Sequence, residues 1–167
     1  MSGLFSKDFE NKKKSIKVLM LGPYKPSNAK QRLIRFKDCL LNHGYEKARL
    51  VEDFPDVPRY DPDPDIHFTL KSRDNIKNWA DMLIFVCFLN ADNLGVTNEL
   101  TFTCDLMQSK IHWSIELHEE GIQLSTQTKG PIKISRMNSD EFRNDQELCE
   151  KAIGFCTKVV YELLWIP

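Results

Sequence analysis

The run Asn93-Leu94-Gly95-Val96-Thr97-Asn98-Glu99-Leu100 combines residue types and a spacing that can do chemistry. Asn93 or Asp92 is placed to cap a helix. Gly95 then falls in the first turn, a poor position for helix propensity but a good one for close approach by a ligand. Val96 and Thr97 are also weak helix formers, so local rules bend here as they do at functional sites. Unpaired amides at a helix start can hold a phosphate. Glu99 lies one turn further in and can project back toward the same mouth as a catalytic carboxylate. The spacing is explained as well by a purely structural role, since a glutamate near a helix start offsets the dipole and that alone accounts for many such residues.

Two other stretches offer suitable groups. In Ser72-Arg73-Asp74-Asn75-Ile76-Lys77-Asn78-Trp79-Ala80-Asp81, the aspartates are seven residues apart and can share a helical face. Asp81 abuts an apolar run and reads as a turn residue. Asp74 is either a solvated helix charge or a carboxylate directed at the site. The loop Gly22-Pro23-Tyr24-Lys25-Pro26-Ser27-Asn28 has no P-loop or dinucleotide-binding pattern. It offers one ring, Tyr24, and nearby cations Lys25, Lys30 and Arg32, which suit a base or a phosphate, or simply a surface loop. His43, His67, His112 and His118 show no metal spacing, and Asp61-Pro62-Asp63-Pro64-Asp65 lacks the glycine and final glutamate of a calcium loop. No metal and no organic cofactor is expected.

The elements that position these groups follow from apolar patterning. Ile16–Leu21 reads as a buried first strand ended by Gly22-Pro23. A helix is predicted over 28–42, with Leu33, Phe36, Leu40 and Leu41 on one face, and a short strand over 48–51. Residues 52–65 carry four prolines and read as a loop, with Tyr60 as a candidate contact. A helix over 66–79 leads into Met82–Leu89, the strongest buried-strand signal. Helix 93–109, strand 112–117, an irregular 118–130, strand 131–135 and a helix over 139–164 complete the chain. Alternating strands and helices imply a three-layer α/β fold, flavodoxin- or Rossmann-like, with a mainly parallel five-stranded sheet. Ligands in such folds bind at the carboxyl ends of strands near a switch in strand order. The 22–28 and 90–99 loops answer that description.

The chain has 167 residues, enough for one domain, with 41% hydrophobic and 28% charged residues. Residues 1–14 read as a flexible polar tail and 15–167 as the domain. A net charge of −1 argues against general nucleic-acid binding. No run is apolar enough to span a membrane. Five cysteines with no CxxC spacing read as reduced core thiols, which favours a cytoplasmic protein.

In order, Asp74, Ala80-Asp81, the apolar Met82–Phe88 and Asn93-Leu94-Gly95-Val96-Thr97-Asn98-Glu99-Leu100 resemble the nucleoside 2-deoxyribosyltransferase superfamily. The resemblance is nearest to its deoxynucleoside 5′-monophosphate N-glycosidase branch. That family has a helix with an aspartate, an alanine–aspartate pair, an apolar strand and a loop close to Ser-Leu-Gly-Val-Gly-Tyr-Glu-Leu. Here Thr97-Asn98 stands where Gly-Tyr is common, and Asn93 where serine or aspartate is common. The resemblance implies cleavage of a base–sugar bond in a nucleotide or nucleoside. Glu99 would be the nucleophile and Asp74 its assistant. Gly95 and Asn93 would hold the 5′ end, with Thr97 in the same loop, and Gly22, Pro23 and Tyr24 would lie beside base or sugar. It also implies a homodimer. TIR-type domains that cleave NAD resemble this chain in fold and in a similarly placed glutamate. A domain that binds a nucleotide without turnover is the alternative from another class.

Overall fold

The structure, a computed structural model, describes residues 2–56 and 61–166. In chain order the elements are α1 Ser2–Ser15, β1 Val18–Leu21, α2 Ser27–Asn42, β2 Ala48–Leu50, α3 Pro64–Asn78, β3 Met82–Cys87, α4 Leu94–Leu106, β4 Ser114–Glu119, α5 Thr126–Ser135, β5 Asn138–Phe142 and α6 Asp145–Trp165. Short 3₁₀ turns follow β2 and precede β4. The five strands lie in the order β2-β1-β3-β4-β5, and every neighbouring pair is parallel.

Alternation along β3 builds two cores. Met82, Ile84, Val86 and Phe88 join Val18 and Met20 on one face, with Leu33, Phe36 and Leu40 of α2 and Leu148, Ala152 and Cys156 of α6. Leu83, Phe85 and Cys87 join Leu19 and Leu21 on the other, with Ile76 of α3, Val96, Leu100 and Cys104 of α4 and Ile132 of α5. Every residue of β1 and β3 is buried, because helices cover both faces of the sheet. The expected three-layer architecture is therefore the one observed.

Several sequence expectations give way. Residues 2–14, read as a flexible lead-in, belong to α1, whose Phe5 and Phe9 rings lie 5.7 and 4.8 Å from the Tyr161 ring of α6. Residues 131–135, read as the last strand, belong to α5. There Ile132 is buried while Ile134 is 87% exposed, and Arg136 ends the helix in the left-handed region at φ 61°. The last strand is instead Asn138–Phe142, a polar stretch that only Phe142 anchors in the core. It occupies the sheet edge, where one neighbour, β4, supplies the pairing that composition does not announce. The following helix accordingly starts later than Ser139. Its cap is Asn144, whose side-chain oxygen accepts from the Glu147 amide at 2.9 Å.

The Asp-Pro-Asp-Pro-Asp run has a structural use. Asp63 caps α3 by accepting from the Asp65 and Ile66 amides, and Pro64 opens the helix, where a missing N–H costs nothing. Tyr60 lies outside the described residues.

The cysteines do not all remain thiols. Cys39 and Cys149 form a disulfide between α2 and α6, with Cα atoms 6.1 Å apart, while Cys87, Cys104 and Cys156 are free and buried. Reduced core thiols therefore no longer argue for a cytoplasmic chain. Among the described residues no helix is long and apolar enough to cross a membrane.

Gly22 ends β1 where α2 crosses over it. A Cβ there would lie 2.6 Å from Cδ1 of Leu33, a fully buried side chain. Gly22→Ala is expected to cost about 1–3 kcal/mol by overpacking. Paired with Leu33→Val it should cost less than the sum of the two single changes, because the partner yields the space. Urea unfolding of the three variants measures both effects.

Candidate functional site

Strand order reverses between β1 and β3. The chain leaves β1 toward β2 on one side and returns on the other, so the loops after β1 and β3 flank a crevice. The loops are tied together, since the Asp92 amide donates to the Lys25 carbonyl at 3.0 Å. Asn90 turns the chain out of β3 at φ 59°, a conformation asparagine tolerates better than most side chains. The Asn93 side chain then closes the loop on itself. Its amide donates to the Phe88 carbonyl at 2.9 Å, and its oxygen accepts from the Phe88 amide at 3.2 Å. Asp92, not Asn93, accepts from the Leu94 amide at the start of α4.

Above this crevice opens a cavity of about 1040 Å³. Tyr24 and Lys25 line it from the first loop, Phe68 and Lys71 from α3, and Leu94, Gly95 and Asn98 from α4. Gly95 has open space where a Cβ would stand, so the helix start is bare toward the cavity. The Tyr24 and Phe68 rings meet edge to face at 5.4 Å, and Lys30 reaches over Tyr24 at 5.8 Å.

Glu99 stands one turn inside α4. As a residue it keeps some exposure, but its carboxyl group is enclosed, and Ser72 Oγ donates to it at 2.8 Å. Burial pushes the carboxyl up to about 7, against the lowering effect of the Ser72 hydroxyl. Tyr24 is also pushed up, first by burial and further by the negative charges of Glu52, Glu99 and Asp53, while a backbone contact with Glu52 acts the other way. The charge on Glu99 is thus felt at Tyr24, and the two belong to one electrostatic neighbourhood.

Not every residue singled out in the sequence comes to this place. Tyr24 and Gly95 line the cavity, whereas Glu99, one residue beyond the lining Asn98, is not among the residues that line it. Gly22 and Pro23 are buried beneath, shaping the loop rather than facing the opening. Thr97 turns toward α5: its hydroxyl donates to the Asn93 carbonyl at 3.1 Å and accepts from Thr128 at 3.3 Å. Asp74 takes a hydrogen bond from Asn78 at 2.6 Å. Two residues along a helix are rotated by about 200°, so Asp74 points away from the side on which Ser72 meets Glu99. Arg32 is committed to Glu119 at 2.8 Å and Asp145 at 2.7 Å, and stacks on Phe88, so it ties α2 to the end of β4 and the start of α6. Lys30 pairs with Glu52 at 2.9 Å. Among the described residues, no partner holds the Lys25 ammonium.

Sequence reasoning missed Ser72, Phe68 and Lys71. Lys71 is 5% exposed and binds Asp56 at 2.7 Å, which His67 also meets at 3.1 Å. Nothing in a single sequence marks Ser72, because its role depends on α3 packing against α4. Glu116, another buried carboxylate, is closed in by His118 at 2.6 Å and Ser139 at 3.3 Å, leaving it little capacity for a ligand.

No family model matches the chain, and no curated protein does. Among solved structures it is similar to the Clostridium botulinum CMP N-glycosidase BcmB, at 18% sequence identity and a TM-score of 0.57. The match covers 83% of this chain and 99% of that one. The two share a fold, as the resemblance read from residues 74–100 implied.

The Glu99 environment has a stability consequence. Unfolded, its carboxyl titrates near 4.5, and folded near 7. Between these values the unfolded chain is ionised and the folded one is not, so stability falls as pH rises through the window and levels off above it. Glu99→Gln should therefore stabilise the fold by about 2–3 kcal/mol at about pH 8, with the gain vanishing at about pH 4. Denaturant unfolding at a series of pH values reads this out.

Proposed function

We propose that this chain is an N-glycosidase of nucleotides or nucleosides, with Glu99 as the nucleophile. The observation that carries the reading is the enclosed Glu99 carboxyl, held by Ser72 on the helix whose Leu94, Gly95 and Asn98 line the cavity at the strand-order switch. Cleaving a base–sugar bond builds positive charge on the sugar, and a close carboxylate can stabilise or trap it. A carboxyl displaced upward by burial is poorly solvated, which favours its attack on a cationic centre.

The cavity suits such a substrate in its parts. Tyr24 and Phe68 form an aromatic wall for a base. Lys25 and the open helix start at Gly95 suit a 5′-phosphate at the other end. In this reading the sugar lies between them, over Glu99. The fold shared with a CMP N-glycosidase supports the reaction class. The assisting role that the resemblance gives Asp74 has less support, since that side chain faces away from the Ser72–Glu99 contact. The reading also carries a homodimer, which sedimentation analysis checks.

The test is to incubate the protein with CMP, dCMP, the free nucleosides and NAD, and to follow base or nicotinamide release by chromatography. Base is expected from at least one nucleotide or nucleoside. Glu99→Gln should lower kcat by about 10³-fold or more, and Asp74→Asn by about tenfold at most. The kcat/KM profile should rise with pH through about 7, as Glu99 ionises. Nicotinamide release alone would move the protein to the NAD-cleaving class. Binding without release from any substrate would make it a nucleotide-binding module.

A further inference from the structure

Far from the cavity, α2 and α6 bring three metal-binding side chains together. Cys39 and His43 are one turn apart at the end of α2, and Cys149 lies near the start of α6. The two sulfurs and a ring nitrogen of His43 all lie within 4.8 Å of one another. Cys39 and Cys149 are part-buried and His43 is exposed, so ions and small reductants can reach them. His43 Nδ1 lies 2.7 Å from the Cys39 carbonyl oxygen. Only a protonated Nδ1 can bond a carbonyl, so this contact fixes the tautomer and leaves the Nε2 lone pair free. A backbone carbonyl holding the second nitrogen in this way is the usual arrangement for a histidine that binds metal.

We infer that Cys39, His43 and Cys149 form a redox-gated site for a thiophilic divalent ion of the zinc type. In the disulfide state the sulfurs cannot serve as thiolates. A dithiol reductant opens the site by exchange. The Cys39–Cys149 bond breaks, the reductant becomes a disulfide, and the two electrons and two protons it gives up end as two thiols on the protein. The ion then displaces those two protons and gains two sulfur ligands and one nitrogen ligand, with water in the fourth tetrahedral position. In such a site the ligand distances are about 2.0–2.3 Å. Both states fasten α2 to α6, so the tether persists while its chemistry changes. The site is roughly 20 Å along α2 from the cavity end of that helix, and is independent of the proposed catalysis.

The full chain, reduced with dithiothreitol and desalted without oxygen, is titrated with Co²⁺ and then Zn²⁺. The expected result is one equivalent of Co²⁺ bound, with sulfur-to-cobalt charge-transfer absorption that Zn²⁺ abolishes, and none in the oxidised protein. His43→Ala, which leaves the cysteines intact, should weaken binding at least tenfold, and Cys149→Ser should remove the absorption. As a check on the unmutated chain, Zn²⁺ should slow alkylation of Cys39 and Cys149 by iodoacetamide, read by mass spectrometry. The proposal is overturned if the reduced chain shows no thiolate absorption, if His43→Ala binds as tightly as the parent, or if Zn²⁺ leaves alkylation unchanged.

Discussion

The pairing of β1 with β3 is the constraint on which the rest of the molecule depends. Four consecutive residues of each strand are in register, from Val18 opposite Met82 to Leu21 opposite Phe85. β2 lies on the outer side of β1 and β4 on the outer side of β3, so the chain must leave these two strands in opposite directions. Two loops are left facing each other at their carboxyl ends, with the amino ends of α2 and α4 directed at the opening. The crevice is a consequence of topology, and the side chains then decide what it can hold.

Those side chains divide the charges around the cavity unequally. Lys30 and Lys71 are neutralised by Glu52 and Asp56, and Arg32 serves the frame by joining α2 to Glu119 and Asp145. Among the described residues, Glu99 has only a hydroxyl as partner, with no cation against it. A carboxyl so placed resists ionisation, because the interior gives back little of the solvation that water would supply. That burden fits a group whose charge is needed at a reacting centre, since a carboxylate kept only to offset a helix dipole does as well in solvent. Glu116 shows the contrasting solution: a fully buried residue whose carboxylate is satisfied by His118 and Ser139.

The opposite face of the sheet shows how little of a cluster a linear pattern reveals. Cys39 and His43 are four residues apart, a spacing too common to mark a site, and Cys149 is 110 residues from Cys39. Only the packing of α2 against α6 joins them. Three buried cysteines elsewhere, Cys87, Cys104 and Cys156, fit the reading of core thiols, and burial raises the titration of each.

By itself, the sequence determined the architecture of this protein. Apolar runs such as Met82–Cys87 and periodic faces such as Leu33, Phe36 and Leu40 are burial preferences, and they act over a few residues at a time. They were enough for the alternation of strands and helices and for the parallel sheet. Tertiary structure decided what short-range preference leaves open. The edge strand Asn138–Phe142 exists because β4 offers it a partner, although its composition is polar. Residues 131–135 are helical because one face of α5 rests on the sheet. Ser72 became the partner of Glu99, and Asp74 did not, because the rotation of α3 against α4 selects which residue faces inward. Such choices rest on contacts between segments far apart in the chain, and no local spacing encodes them.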